Sequence, residues 1–205
     1  MAGDPSAAER AHAAIKQRIL LGKLPVRTRI DVEALARDLG LSSMPVRQAL
    51  SVLTWEGLVR AGAHAGYEVA LWSAHELVQL YGWRGTLLAM VLPISISATE
   101  LKRIVRIEPY PQAVFNVMRL VEANANPELK RAAINADERL FAARRAESEV
   151  LGDVEGEFAN LVAAIAERSS RSRALVSAYH RRRIQNAAAL RERAVIMGLP
   201  NNGPH

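Results

Sequence analysis

The sequence predicts a mostly α-helical protein in which one short β-hairpin follows the first three helices. Of the 205 residues, 50% are hydrophobic but only 5% are aromatic, and the abundant Ala, Leu, Arg and Glu are good helix formers. Along most of the chain, apolar residues recur three or four positions apart, which is the period of an amphipathic helix. One stretch instead has a glycine-rich turn between two short apolar segments, the pattern of a hairpin.

Three helices are predicted before the hairpin. The first ends at Gly22. The second begins after Asp31, a favourable N-cap residue, and ends at Gly40. The third is expected to be capped by Ser42 and to stop at Gly57. The buried faces consist of apolar residues at helical spacing: Ala8, Ala11, Ile15 and Ile19 in the first helix, Leu35, Ala36 and Leu39 in the second, and Val46, Ala49, Leu50 and Leu53 in the third.

The hairpin is predicted from strands at Leu58–Arg60 and Tyr67–Leu71, joined by a glycine-rich tip that contains His64 and Gly66. An order of helix, helix, turn, helix and hairpin is that of a winged helix-turn-helix, a fold that places its second motif helix in the DNA major groove. We therefore expect residues 1–71 to form a winged helix-turn-helix DNA-binding domain.

The remainder of the chain is predicted to be an all-helical bundle over residues 72–198, serving effector binding or dimerisation, with a flexible tail at 199–205. Ser73 is expected to cap its first helix. The six predicted helices cover Ala74–Val91, Ala98–Ile107, Pro111–Ala123, Pro127–Glu147, Val150–Arg168 and Arg171–Met197.

The third helix has the two-faced character that a DNA-reading helix requires. While its apolar face is buried, Ser43, Met44, Arg47, Gln48 and Ser51 point towards solvent or DNA. Arg47 is suited to bidentate contact with guanine and Gln48 to contact with adenine, and Ser42 and Ser43 suit phosphates near the helix N-terminus. The same residues on an isolated helix would simply be solvated.

Four further residues are candidate contacts to the DNA backbone or minor groove. They are Arg27 and Arg29 before the second helix, and His64 and Gly66 at the hairpin tip.

These segments resemble the N-terminal domain of GntR-family regulators over about residues 10–71. The resemblance is carried by Ile19 to Gly22, Leu35 to Ser42, Pro45 to Leu50, Leu53, and Glu56 to Val59. It implies that Arg47, Ser42 and the wing around His64 and Gly66 contact operator DNA.

The chain departs from the family pattern at two places. Val26-Arg27 stands where Pro-Gly is usual, and Ser43 stands where an Arg usually follows the capping serine. The missing Arg removes one expected DNA contact.

The helical domain resembles the effector domain, also called the FCD domain, of the FadR-like subfamily, beginning with the run Ser73–Arg84. Members of that subfamily bind small carboxylates, often through a metal held by an Asp and three His. Asp137 matches the carboxylate ligand and His180 a later one, but Phe141 stands in place of a histidine. Because two ligands cannot hold a divalent ion tightly, the sequence predicts a degenerate metal site and no bound cofactor.

A cavity without metal could still bind a small-molecule effector. Arg84, Arg119 or Arg139 could pair with its carboxylate, and Asp137 and His180 complete the candidate ligand-binding set. The simpler interpretation, which comes first for each of these residues, is a solvated or salt-bridged helix residue without a ligand role. The basic run Arg181-Arg182-Arg183 is expected to be a solvated face or, failing that, a second nucleic-acid contact.

Composition restricts the class of protein. The net charge of +6 suits a polyanion partner, and the absence of cysteine excludes disulfides and thiol chemistry. We expect a cytoplasmic protein, since neither a signal peptide nor a membrane span is apparent. The acidic residues and five histidines show no spacing typical of a catalytic site, so we expect no enzyme.

The sequence thus predicts a sequence-specific regulator, and specifically a repressor, that binds double-stranded operator DNA as a homodimer and responds to a small metabolite. The alternative is a winged-helix scaffold for protein contacts without ligand sensing.

Overall fold

The structure is a computed structural model that describes residues 4–62, 66–92 and 97–198. Its contacts divide the chain into two units. One contains the residues up to Leu71 together with those from Ala194 onward, and the other contains Trp72–Arg193. In the described ranges, no helix has both the length and the apolar content that crossing a bilayer requires.

The N-terminal unit combines helices with a small antiparallel sheet whose strand order is β1-β3-β2. Its elements are α1 (Ala7–Leu20), β1 (Arg29–Ile30), α2 (Val32–Leu39), α3 (Ser43–Trp55), β2 (Val59–Ala61) and β3 (Tyr67–Val69). The sequence did not predict β1, because two residues are too few to show the alternation that identifies a strand. The predicted hairpin strands are present within one or two residues at each end.

The helix ends follow local capping chemistry. Ser6 and Glu9 form a reciprocal capping box at the start of α1. The Asp31 carboxylate accepts hydrogen bonds of 3.0 Å from the backbone N–H groups of Glu33 and Ala34, and Gly40 ends α2 with a left-handed φ of 64°. The prediction for Ser42 was half right. It occupies the N-cap position of α3, but its hydroxyl makes no capping hydrogen bond to the described first turn.

The core of this unit is apolar and centres on α3. The four residues predicted for its buried face, Val46, Ala49, Leu50 and Leu53, are all at most 1% exposed. They pack with Ala11 and Ile15 of α1 and with the inner face of α2. Burial of several aliphatic side chains at about 1.5–3 kcal/mol each fixes the orientation of α3.

The second unit is a helical bundle. Its helices are α4 (Ala74–Val91), α5 (Ala98–Ile107), α6 (Tyr110–Val121), α7 (Pro127–Leu151), α8 (Val154–Ala166), α9 (Ser172–Gln185) and the first part of α10 (Ala187–Gly198). Ser73 caps α4 through a capping box with Glu76. Helix α4 packs mainly against α9 and α7, while α5 packs against α6 and α8.

Three predicted boundaries in the bundle were wrong, the first being the start of α8, which lies at Val154 and not at the predicted Val150. Helix α7 continues to Leu151 and ends at Gly152, whose φ of 74° suits glycine. The helix predicted over Arg171–Met197 is divided at Asn186, where the side-chain amide donates to the Arg182 carbonyl at 2.8 Å. No Gly or Pro marks this break, so helical periodicity alone could not locate it.

Candidate DNA interface and helical-domain core

The outer face of α3 presents polar side chains to solvent. Arg47 and Gln48 are both exposed, and Met44 is 66% exposed. Ser42 is exposed at the N-terminus of the helix, where backbone N–H groups and an uncommitted hydroxyl suit a phosphate. Ser43 is half-buried, so less of its side chain is accessible. The face can therefore present a cation, an amide and a hydroxyl to one polyanionic partner.

Arg47 is available for an additional partner. The nearest ion pair places its Nη2 at 3.7 Å from Oε1 of Glu33, with the two side chains 50% and 62% exposed. A pair of this length and exposure contributes little to stability. Neutralisation or displacement of Glu33 would leave the guanidinium free to make a bidentate contact.

The far end of α3 is held to α1 by a hydrogen bond and an ion pair of Glu56. Glu56, which caps α3, contacts Nε2 of His12 and Nζ of Lys16, each at 3.0 Å. These contacts, together with the apolar core, hold α3 against α1. The helix is therefore presented as a rigid element, which a reading helix needs.

Sequence reasoning missed two apolar residues on the surface of α3. Val52 is 49% exposed and Trp55 is 94% exposed. The sequence predicted Met44 as the one apolar residue on the outer face of this helix. No local signal in the sequence distinguishes an exposed tryptophan from a buried one.

Arg27 and Arg29 are both exposed beside α2. Arg27 has a φ of 65°, a left-handed conformation that costs a non-glycine residue roughly 1–2 kcal/mol, and its N–H donates to the Val69 carbonyl at 2.9 Å. It is thus strained where the family pattern has glycine. Arg29 lies on the edge strand β1, in register with Glu68 of β3.

The wing closes through a backbone hydrogen bond of 2.8 Å from the Gly62 N–H to the Gly66 carbonyl. Gly66 is half-buried at the start of β3. The predicted contact His64 lies outside the described residues.

The candidate ligand residues of the helical unit form part of a buried ionic cluster. Oδ1 of Asp137 lies 2.8 Å from Nε of Arg84 and 2.7 Å from Nη2 of Arg144, and all three side chains are at most 1% exposed. Nη1 of Arg84 also lies 2.7 Å from Oε1 of Glu122. Burial acts to raise the pKa of Asp137, but the two guanidinium groups outweigh burial and hold it below its ordinary value.

A second buried cluster surrounds Glu147. Its carboxylate accepts hydrogen bonds from Tyr81 at 2.7 Å, Tyr110 at 2.5 Å and Nε of Arg183 at 2.9 Å. The hydroxyls of Tyr110 and Tyr179 lie 2.6 Å apart, and burial together with Glu147 raises the pKa of Tyr179 to about 12. These hydrogen bonds satisfy the buried carboxylate.

The prediction for the basic run was wrong at Arg183, which is fully buried in this second cluster. Arg182 pairs with Glu157 at 3.1 Å, and only Arg181 of the three is exposed. A run of like residues on a helix spans all its faces, so composition alone could not show which arginine points inward.

The residues implied for a metal do not fit one. Phe141 is buried where the resemblance implies a histidine, and Asp137 is already neutralised by two cations that would repel a third. Nδ1 of His180 bonds to the Val176 carbonyl at 2.8 Å, and burial lowers the pKa of this histidine to about 3. In the described ranges, no three His, Asp or Glu side chains are grouped closely enough to hold a metal ion.

The two remaining candidates lie nearer the surface. Arg139 is half-buried with its guanidinium 4.0 Å from the centre of the Trp72 ring, so it packs against its own unit. Arg119 is exposed beside Phe115.

Of the five candidate ligand residues, the structure brings Arg84 and Asp137 into direct contact. Arg144, Glu122, Glu147 and Arg183 were missed as core residues, although the spacing of seven between Asp137 and Arg144 places both on one helix face.

Comparison with known proteins identifies the first unit. Residues 7–69 match the family of bacterial regulatory proteins described as the gntR family. A search of curated proteins gave no match.

Two solved structures share the fold across both units. A Rhodococcus sp. RHA1 protein, described as a transcriptional regulator GntR, superposes with a TM-score of 0.77 at 16% identity, covering 90% of this chain and 99% of that one. E. coli McbR/YncC gives a TM-score of 0.70 at 18% identity, covering 92% of this chain and 98% of that one. The helical unit therefore has the fold expected from the FadR-like resemblance, and residues 7–69 form a domain of the gntR family of bacterial regulatory proteins.

Proposed function

We propose that this regulator is a repressor that reads double-stranded operator DNA through α3, acts in the cytoplasm as a homodimer, and catalyses no reaction. The observation that carries the proposal is the two-faced character of α3. Val46, Ala49, Leu50 and Leu53 are buried, while Arg47 and Gln48 are exposed on the opposite side. This is the geometry with which a helix enters a major groove and offers bidentate partners to bases.

The exposed cations Arg27 and Arg29 support the proposal as backbone contacts. Such contacts position the domain on the duplex without specifying sequence. Ser42 and the N–H groups at the start of α3 are a further phosphate site, and Ser43, Met44 and the wing residues His64 and Gly66 complete the candidate interface.

A mobility-shift titration with the DNA upstream of the regulator's own gene tests the reading role. Arg47→Ala is expected to weaken binding to the specific fragment by about 10- to 100-fold, corresponding to roughly 1–3 kcal/mol for a bidentate base contact. Arg10→Ala is the matched control, because Arg10 is an exposed cation of α1 on the same unit. A specific shift that both variants leave unchanged would exclude base reading by Arg47.

The homodimer is supported by exposed apolar residues on α4. Trp83 and Met90 are 49% and 65% exposed and lie seven residues apart, on one face of the helix. Pairing through such a face would let two copies of α3 address half-sites about 34 Å apart. Sedimentation velocity of wild type and Trp83→Glu checks this, since the variant is expected to sediment as a monomer. A wild-type monomer at all concentrations would contradict it.

One observation favours the alternative of a protein-contact scaffold. Val52 and Trp55 place apolar surface at the end of α3, and exposed tryptophan is typical of protein interfaces. In the same mobility-shift assay, Trp55→Ala should leave specific DNA binding unchanged if this end serves a protein partner. If the wild type gives no specific shift with any upstream fragment, the scaffold becomes the better explanation.

A further inference from the structure

Two arginine side chains reach the buried carboxylate at which the FadR-like resemblance implies a divalent cation. Nε of Arg84, on α4, lies 2.8 Å from Oδ1 of Asp137, and Nη2 of Arg144, on α7, lies 2.7 Å from the same atom. One turn after Asp137 and on the same face of α7, Phe141 is buried, and its ring offers a metal no ligand. Positive charge therefore reaches this carboxylate from within the chain.

Both guanidinium groups keep their charge in the core. Burial acts to lower the pKa of Arg84 and of Arg144, but the neighbouring acids, Asp137 first among them, outweigh burial and raise both pKa values. All three side chains are at most 1% exposed, so water and salt screen their attraction only weakly. The carboxylate is thus neutralised by two full charges that belong to the fold.

Charge, more than hydrogen bonding, is what these two arginines supply. In the part of the chain that the structure describes, Nη2 of Arg84 and both Nε and Nη1 of Arg144 have no hydrogen-bond partner, and neither does Oδ2 of Asp137. A guanidinium placed for its hydrogen bonds would match its fork of donors to both oxygens of a carboxylate. Here both cations approach the same oxygen atom, so the arrangement satisfies charge rather than bidentate geometry.

The same cluster joins three helices. Nη1 of Arg84 lies 2.7 Å from Oε1 of Glu122, which follows the last turn of α6, so Arg84 connects α4 with the end of α6 and with Asp137 on α7. Metal ions in helical bundles make the same kind of link between carboxylates of facing helices. When Glu122 is ionised, two guanidinium groups balance two carboxylates, and a divalent ion added to them would be an unpaired buried charge.

We propose that Arg84 and Arg144 are built-in cations that take the place of a divalent ion, so that the helical unit folds without metal and its stability does not respond to one. Arg84 is the principal replacement, because it contacts both acids. This role does not depend on whether α3 reads DNA.

Thermal unfolding of the full-length protein at pH 8, followed by circular dichroism, tests the proposal. Glu122 is mostly ionised at this pH, because its pKa is about 7. We expect wild type to have the same melting temperature in EDTA, in Mn²⁺ and in Zn²⁺. A rise of several degrees with either metal that EDTA reverses would overturn the proposal.

Arg84→Ala removes the cation that both acids share. We expect its melting temperature to fall by roughly 10 °C. Low millimolar guanidinium chloride should restore part of this loss by returning the missing cation, and Mn²⁺ should restore part of it by replacing that cation. Arg131→Ala, which removes an exposed cation of α7 paired with Glu128, is the matched control and should melt like wild type under every condition.

The response of Arg84→Ala can contradict the proposal in two ways. A destabilised variant that neither guanidinium nor Mn²⁺ restores would overturn the role of Arg84 as a cation. Restoration by guanidinium alone would overturn its equivalence with a divalent ion.

Arg84→Met separates charge from packing, and it also serves if Arg84→Ala does not fold. This substitution keeps most of the side-chain volume without the charge, so we expect a lower melting temperature. Adding Glu122→Gln should then raise the melting temperature by more than the same substitution does in wild type, because it removes the acid that has lost its cation. If Arg84→Met melts like wild type, or if Glu122→Gln has the same effect in both backgrounds, Arg84 acts through packing and the proposal is overturned.

None of these measurements uses DNA. Their outcomes are therefore separate from those of the mobility-shift tests of α3.

Discussion

The two units of the chain place their charged side chains in opposite ways. In the N-terminal unit the core is apolar, and the arginines considered for DNA contact are on its surface. In the helical unit Arg84, Arg144 and Arg183 are among the largest fully buried side chains. A charged side chain on the surface can bind an external partner, whereas a buried charged side chain must be neutralised within the fold. The same residue type therefore has different consequences in each unit.

The largest expected effect is that of removing a buried cation. Arg183→Ala leaves Glu147 buried without its cation, so we expect the helical unit to lose about 3–5 kcal/mol of stability. Urea unfolding followed by circular dichroism measures this. Arg181→Ala removes the exposed neighbouring arginine and should change stability by no more than about 0.5 kcal/mol. Equal losses in the two variants would contradict the distinction between buried and exposed arginines.

The next effect is a dependence on pH at Glu122. Its pKa in the folded chain is about 7, above the ordinary value of 4.5. The stability linked to its proton is therefore fully present below pH 4.5 and is lost as the pH rises through about 7. Glu122→Gln stays neutral throughout, so it should match wild type near pH 4.5 and exceed it at pH 8 by on the order of 3 kcal/mol.

Thermal unfolding at several pH values checks this prediction for Glu122. Glu128→Gln, at a side chain that is 82% exposed on α7, is the control and should follow wild type at every pH. If the difference in melting temperature between wild type and Glu122→Gln does not grow with pH, burial does not raise the pKa of the Glu122 carboxyl group.

A smaller effect is expected from backbone strain in the N-terminal unit. Arg27→Gly removes the cost of a left-handed φ of 65°, so we expect a gain of about 1 kcal/mol. Gly40→Ala is the converse control, because Gly40 has a φ of 64° and a Cβ there would meet nothing within 4 Å. It should lose about 1 kcal/mol through strain alone. If Arg27→Gly destabilises the unit, the Arg27 side chain stabilises it in a way that outweighs its strain.

The smallest effect on stability is expected at Arg47. Because its side chain is 50% exposed and its ion pair is long, Arg47→Ala should change the free energy of unfolding by no more than about 0.5 kcal/mol. Urea unfolding of this variant sharpens the comparison with Arg183→Ala. A loss above 2 kcal/mol would mean that Arg47 supports the fold, and weaker DNA binding by the variant would then not identify a base contact.

The sequence by itself determined most of the N-terminal unit. Asp31 and Gly40 mark the ends of α2, and the spacing of Val46, Ala49, Leu50 and Leu53 fixes which side of α3 is buried and which is exposed. Caps and apolar periodicity are local, so they can be recognised without knowing the fold.

Tertiary structure decided the character of the helical unit. Neither the pairing of Arg84 with Asp137 across 53 residues nor the burial of Arg183 beside Glu147 has a local signal, because arginine and glutamate are ordinary residues of an exposed helix face. The break at Asn186 and the exposure of Trp55 likewise have no local signal in the sequence. Packing between distant segments decides whether a charged side chain contacts solvent or a partner inside the bundle. The periodicity within one segment carries no information about that packing.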